Sequence, residues 1–497
     1  ILQHYQFAKL FGGNTWNHIA RTRGAGLSHR LAAYREPELP TQALMNVLRC
    51  AAVSRDSVRN MRGSFGCPSF FWLLFCVLVV CAIGSIAYAA ATNDGEPPNA
   101  APPPRAAHTL RIATYNASLN RDTDGALVRS LGMRDASGRG ADPQARVIAE
   151  VLQRVAPDVL LINEFDYDAA GVALRLFDER YLRVAWNGAA ALRFRARFAP
   201  PVNTGVPSRV DLDHDGRIGG PNDALGFGLF PGQYGLAVYS NLPIDRRAIR
   251  SFRRFLWAAM PDAALPPDWY SPAALAVLPL SSKNHVDLPL RLPNGRTLHF
   301  LVSHPTPPAF DGPEDRNGRR NHDEIRLWAD YLSPEKAGYL LDDRGRRGGL
   351  AADASFVIAG DLNADPDDGG SYQNAIRQLL DHPRVNAEAA RGSLRPRSAG
   401  GIAAAQRQGG ANLSQRADPR FDTADFGDTG DDAPGNLRAD YVLPSKDLRV
   451  CASGVFWPTP AEPMWRLVND DVRASSDHRL VWVDVALPGF TCPPPAQ

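Results

Sequence analysis

An acid and an amide two residues apart close the apolar run Phe356-Val-Ile-Ala-Gly-Asp-Leu-Asn-Ala-Asp-Pro366. If residues 356–359 form a buried strand, Gly360 lets the chain bend at the sheet edge. Asp361 and Asn363 then point the same way, because side chains in a strand repeat every second residue. Taken alone, the stretch reads equally well as an acidic turn, which Asp, Asn, Gly and Pro favour. Three other strand-like runs end in polar residues of complementary type: Leu110-Arg-Ile-Ala-Thr-Tyr-Asn116, Asp158-Val-Leu-Leu-Ile-Asn-Glu164 and Leu298-His-Phe-Leu-Val-Ser-His304. A fifth feature, Ser475-Ser-Asp-His478, precedes the apolar run at 480–485. Acids, amides and histidines gathered at strand ends are what hydrolysis of a phosphate ester needs: a nucleophilic water, counter-charge for the nonbridging oxygens and a proton source. Carboxylates with an amide oxygen favour a hard cation such as Mg²⁺. A histidine beside an acid can be kept protonated near neutral pH.

These residues need elements that bring strand ends together. After the first strand, residues 142–155 carry helical apolar spacing (Val147, Ile148, Val151, Leu152, Val155), and Pro157 ends the helix ahead of the second strand. Gly235-Leu-Ala-Val-Tyr-Ser240 reads as a strand, 323–332 and 372–380 as helices, and Ala439-Asp-Tyr-Val-Leu443 and 480–485 as the last strands. Strands alternate with helices early and hairpin-like strands follow, which predicts a mixed-sheet α/β domain with its active residues at strand ends. Residues 384–424, rich in Arg, Gly, Ala and Ser, read as a long loop.

The order Tyr-Asn, Asn-Glu, Ser-His, Gly-Asp-Leu-Asn, Ala-Asp-Tyr and Ser-Asp-His over residues 108–487 resembles the endonuclease/exonuclease/phosphatase superfamily. The resemblance implies an α/β, DNase I-like, four-layer sandwich: two packed mixed β-sheets flanked by helices, with a divalent metal, Mg²⁺ or Mn²⁺, at the strand ends. It makes Asn116 and Glu164 metal-binding positions, Glu164 the principal ligand, and Asp477 a further metal-site acid. Asp361 and Asn363 match the acid and amide that orient the nucleophile and hold phosphoryl oxygens. His304 matches a second histidine of the DNase-like and sphingomyelinase branches, Asp440 the acid that orients the catalytic histidine, and His478 that histidine. The implied activity is hydrolysis of a phosphate mono- or diester by water attack. A DNA or RNA nuclease and a sphingomyelinase-like phosphodiesterase are the alternatives within the fold, and a non-catalytic, calcium-stabilised surface protein is the alternative outside catalysis.

Three loops bear on these alternatives. After His304 the chain reads Pro-Thr-Pro-Pro308, then a polar run with Arg316, Asn317, Arg319, Arg320, Asn321 and His322 just before the predicted helix. There Arg316, Asn317, Arg320 and Asn321 could bind an anionic substrate, or the run could be a solvated loop with helix caps. Asp211, Asp213 and Asp215, with Gly216 and Ile218, match the start of a calcium loop, but Asn222 stands where a bidentate Glu is expected, so an Asp-rich turn is the other reading. Residues 252–260 suit either an exposed apolar loop that meets a membrane or core.

At 497 residues with 44% hydrophobic content the chain can bury a large core. Its formal charge of +2 hides an asymmetry: residues 1–89 hold nine Lys/Arg and three Asp/Glu, which leaves 46 basic and 50 acidic side chains in the rest. A body at −4 with almost no Lys gives no global support for nucleic-acid binding, and no stable protein partner is predicted. Residues 1–60 look unlike a domain. Residues 61–89 carry one Arg, an apolar run and Ala87-Tyr-Ala89, the layout of a secretory signal. The run also approaches the roughly 20 residues that span a bilayer, so an uncleaved anchor is the alternative, and only then would the protein contact membrane. Either way the domain lies outside the cytoplasm, periplasmic or secreted. A Pro/Ala-rich linker follows at 90–107, then the domain at 108–487 and a tail at 488–497. Four of six cysteines fall in the leader, leaving Cys451 and Cys492 as a bridge that ties the tail to the sheet, or as two free thiols. Cleavage after Ala89 makes Ala90 the first residue of the native product. N-terminal sequencing checks this, and peptides from residues 1–40 would contradict it.

Overall fold

The computed structural model describes residue 102 and residues 105–429, 433–469, 471–472, 474–487 and 489–492. The leader, the signal segment and most of the linker lie outside the described residues. Thirteen strands are described. One sheet contains six, in the order β12 (Val450–Phe456), β13 (Leu480–Ala486), β1 (Thr109–Asn116), β2 (Val159–Asn163), β4 (Leu236–Ser240), β3 (Ala196–Phe198), and a second contains five, in the order β11 (Asp440–Pro444), β8 (Ser355–Asp361), β7 (Thr297–Val302), β6 (Val286–Arg291), β5 (Arg250–Ser251). In the first sheet, β1 (Thr109–Asn116) runs parallel to β2 (Val159–Asn163) and antiparallel to β13 (Leu480–Ala486). In the second, β7 (Thr297–Val302) runs parallel to β8 (Ser355–Asp361), which is antiparallel to β11 (Asp440–Pro444). Both sheets are therefore mixed, as expected.

Alternation along β8 decides the layers. Val357 and Ala359 join the core between the sheets, while Phe356 and Ile358 join a second core on the outer face. Helix α1 (Pro143–Val155) buries Ile148, Val151, Leu152 and Val155 in the first core; Asp142 caps it by accepting from Ala145 N–H. Helix α2 (Arg316–Tyr331) covers the outer face of the second sheet with Ile325, Leu327, Trp328 and Tyr331. Helix, sheet, sheet and helix make the four layers.

The seven expected strands stand within two residues of their expected bounds, whereas Ala196–Phe198, Arg250–Ser251, Val286–Arg291 and Val450–Phe456 are strands not expected from the sequence. Three further stretches differ. Helix α2 begins at Arg316, seven residues before the apolar periodicity, so the polar run lies inside the helix and not in a loop. Residues 384–424 contain the helix α3 (Ala399–Gln408), started by Ser398, whose hydroxyl accepts from Gly401 N–H; its glycines lie against the backbones of Trp457 and Pro419 and left no apolar pattern to read. Residues 252–260 are core, with Phe252, Phe255, Trp257 and Met260 all buried, which removes them as a membrane-meeting loop. Cys451, on β12 (Val450–Phe456), is bonded to Cys492, so the tail is tied to the sheet.

Candidate active site

Topology places the polar residues at one edge. The carboxyl ends of the parallel pairs β1/β2 and β7/β8 lie beside the amino ends of the antiparallel strands β13 and β11: Asn116 pairs with Asn163, and Asp361 with Asp440. The sheets face each other through β1, β2, β8 and β11. Asn163, fully buried, joins them: its amide donates to Ser303 O at 3.2 Å, and its Oδ1 accepts from Thr114 at 3.2 Å and Asp361 N–H at 3.4 Å. Gly360 permits this closeness, since a Cβ there would stand 2.1 Å from Ser303 O.

Asp361 is the hub. Its Oδ2 accepts from Asn116 Nδ2 at 3.0 Å, lies 3.2 Å from His304 Nε2 and 3.6 Å from His478 Nε2. Its Oδ1 accepts from Asn363 N–H at 3.0 Å, which ends the strand in a tight turn with Asn363 in the left-handed region. Strand alternation thus stops at Asp361. Asn363 is aimed by that turn and donates its side-chain amide to Pro305 O at 3.1 Å. Glu164, also left-handed at φ 58°, follows β2, and its oxygens accept from Asn116 at 3.2 Å and Asn120 at 2.6 Å. Such backbone strain persists where surrounding contacts over-determine it, and it clusters at functional sites.

The His478 Nδ1 lies 2.8 Å from Asp440 Oδ2, which also accepts from the Thr423 hydroxyl at 2.9 Å. Asp440 Oδ1 is buried without a partner. Burial works against a charged His478, but the carboxylates of Asp440 and Asp361 outweigh it and hold the imidazolium well above the ordinary histidine range. For Asp361 the balance runs the other way: burial raises its carboxyl, and His478 and His304 more than offset that, leaving it well below the usual range. Burial and the nearby Lys283 charge push His304 down, against the pull of Asp361. Its Nε2 faces Asp361, and its Nδ1 is buried without a partner.

A cation fits one part of this arrangement. Glu164 is held by two neutral amides and has no ion pair among the described residues. A carboxylate with no counter-charge at the edge of a buried site matches the oxygen chemistry of a hard divalent ion. Asp477 lies close by, its Oδ1 accepting from Ser118 at 3.2 Å. Asn116 Oδ1 accepts from Ser118 N–H, which leaves its second lone pair for a ligand, and its Nδ2 spans Glu164 and Asp361. It clamps the two acids. Asp361, Asp440 and His478 also converge closely enough to hold an ion, but a protonated imidazole has no lone pair to give, which favours the Glu164 side.

The polar run after His304 is scaffold. The guanidinium of Arg320 donates to the carbonyls of Leu280, Pro279 and Leu225, and Asn321 donates to Thr306 O and Leu362 O. Asn317 donates to Ala309 O, while Arg316 pairs with Glu314 and packs over Trp269. These donors of Arg320 and Asn321 are committed to backbone carbonyls and not to a substrate, while Asn321 Oδ1 is buried without a partner. Asn321 ties the His304 loop to the Asp361 loop, and Arg320 ties residues 279–280 to Leu225. One carboxylate oxygen each of Asp211, Asp213 and Asp215 lies within 4.8 Å of the others. Asp223, which could have closed this group, accepts from Leu212 and Gly219 N–H instead. Asn120, Asn163, Ser118 and Lys283 were not singled out from sequence. Only Lys283 carried a signal, as one of four lysines in a chain of 55 basic residues.

Two facing mixed sheets with acids and histidines at their common edge define a hydrolase of phosphoric ester bonds. The Endonuclease/Exonuclease/phosphatase family model matches residues 113–478, most of the chain, and the chain belongs to that family. No curated protein matches it. Solved structures similar to it include an endonuclease/exonuclease/phosphatase from Beutenbergia cavernae (17% identity, 76% of this chain and 72% of that one, TM-score 0.40). Others are the human Nocturnin catalytic domain (14%, 76% and 93%, 0.37) and sphingomyelinase C from Streptomyces griseocarneus (16%, 76% and 99%, 0.33). Replacing Glu164 with Gln should weaken Mg²⁺ or Mn²⁺ binding at least about tenfold, since a charged ligand is lost, with an unchanged thermal midpoint. Calorimetric titration checks this, and equal affinity would remove Glu164 from the metal site.

Proposed function

We propose that this protein is a Mg²⁺- or Mn²⁺-dependent phosphoesterase that hydrolyses a phosphate mono- or diester by direct attack of water, acting outside the cytoplasm. The observation that carries the reading is the division of labour between two acids that Asn116 holds side by side. Glu164 lacks a cationic partner, whereas Asp361 lies between two imidazoles. A divalent cation on Glu164 would supply counter-charge to the phosphoryl oxygens and acidify bound water. Asp361 orients the attacking water; its depressed pKa makes it a better hydrogen-bond acceptor than proton store. His478, kept charged and fixed by Asp440, donates from Nε2 to a phosphoryl oxygen, where negative charge is stabilised. As water adds to phosphorus it gives up one proton and the bond to the leaving oxygen breaks; the leaving oxygen takes up one proton, directly or through solvent, so the protons balance. The Cys451–Cys492 bond and the signal-like leader support the location.

A substrate panel tests the reading: plasmid DNA, RNA, a phosphodiester dye, inositol phosphates and sphingomyelin, each with Mg²⁺, Mn²⁺ or chelator. At least one ester should be hydrolysed with metal and spared with chelator, and Glu164→Gln should lose more than nine-tenths of that activity. Turnover of none of them, or turnover indifferent to chelator, contradicts it.

A further inference from the structure

Lys283 stands out by composition before geometry. Of the 55 basic residues only four are lysines, at 9, 283, 336 and 446. Among the described ones Lys336 and Lys446 are exposed, whereas Lys283 is 7% exposed. A chain that uses Arg almost everywhere, including the buried Arg479 beside His478, has a Lys at this buried position. A compact ammonium offers one rotatable point charge where a guanidinium would impose a planar fork.

The segment around it is pinned on every side. The hydroxyl of Ser281 lies 2.6 Å from His285 Nδ1, and His285 Nε2 lies 2.9 Å from Glu324 O. Ser282 donates to Glu324 Oε1 from its amide at 2.7 Å and its hydroxyl at 3.0 Å. The carbonyl of Lys283 accepts from Asn203 N–H at 3.0 Å, and Asn284 donates to Pro201 O at 2.9 Å. Glu324 reaches the site as well: its Oε2 accepts from Thr306 N–H, two residues after His304. One buried carboxylate therefore fixes the Lys283 loop and the His304 loop together.

The ammonium itself has no hydrogen bond and no ion pair within 4.0 Å among the described residues. An unpaired buried charge is costly, so its retention calls for a reason. Glu324 is a weak one, because three neutral donors already satisfy it. The ammonium does act electrostatically on Asp361, Glu164 and His304. Glu324 ties the Lys283 loop to the His304 loop, so the ammonium sits on the side of the site where His304 leaves a buried Nδ1 without a partner.

We propose that the Lys283 ammonium is a phosphoryl-binding group, donating to a nonbridging oxygen of a phosphate ester bound in the cleft. This rests on the phosphoesterase reading above. His478 and Lys283 then supply two fixed cations from different sheets' edges, and a bound phosphate gives Lys283 the partner it lacks.

The test is binding of inorganic phosphate to the Mg²⁺-loaded protein by calorimetry, for wild type, Lys283→Met and Lys283→Arg, with thermal midpoints for each. Methionine keeps the apolar stem and removes the charge. It should weaken phosphate binding at least about tenfold, the span of a charged hydrogen bond, while the midpoint stays equal or rises, because an unpaired buried charge has gone. Arginine should recover part of the affinity. Equal phosphate affinity in wild type and Lys283→Met overturns the proposal while leaving the phosphoesterase reading intact. A lowered midpoint or loss of fold in Lys283→Met makes the ammonium structural and also overturns it. If the wild type binds no phosphate and hydrolyses no ester of the panel, the functional reading fails and this assignment with it.

Discussion

A fully buried amide holds this active site together. Asn163 ends β2 of one sheet, yet it bonds to Ser303 and Asp361 of the other, so neither sheet can shift without breaking hydrogen bonds that water cannot replace. Asn116 repeats the device one strand away, joining Glu164 of its own sheet to Asp361 opposite. Geometry that a phosphoryl transfer needs to within a fraction of an ångström is thus set by the packing of two sheets and not by loops. Behind them, α2 secures the loops, with Trp328 donating to Ser303 Oγ, Asn321 to two loop carbonyls, and Glu324 accepting from two loops.

Electrostatics follows from that rigidity. Asp361, Asp440, His304 and His478 are each at most 4% exposed. In such a place each charge survives only beside another, and the order in which they are strung sets each role. Asp440 serves His478. His478 and His304 flank Asp361; burial and Lys283 push the His304 imidazole down, whereas Asp440 and Asp361 hold His478 up. The result is an acid poised for water, a charged donor poised for a phosphoryl oxygen, and a carboxylate left over for a cation.

Much of this was legible from residue types alone. Apolar runs ending in Asn116, Glu164, His304 and Asp361 had the right length and punctuation for strands, and the structure brings those ends to one edge. What sequence could not supply is which polar residues turn inward. Arg316 to Asn321 read as a substrate-facing loop because helix α2 starts with seven residues of no apolar period; tertiary contacts with carbonyls, invisible in a pattern, make it helix. Asn163 was hidden for the opposite reason. It sits inside an apolar strand as one more polar neighbour of Glu164, and its partners lie 140 and 198 residues away. Residues 399–408 failed as a helix prediction because their packing uses glycine against backbone, which carries no hydrophobic signature.

The central claim is that His478 works as a cation sustained by Asp440. The direct measurement is kcat against pH for wild type and Asp440→Asn with Mg²⁺ saturating. Because the neighbouring carboxylate raises the imidazole's pKa, activity that needs the protonated form is full below that pKa and lost as pH rises through it. Removing the carboxylate's charge lowers the pKa, so the alkaline limb of the Asp440→Asn profile should move to lower pH. An unmoved or upward-shifted limb would contradict the account and assign the titration to another group.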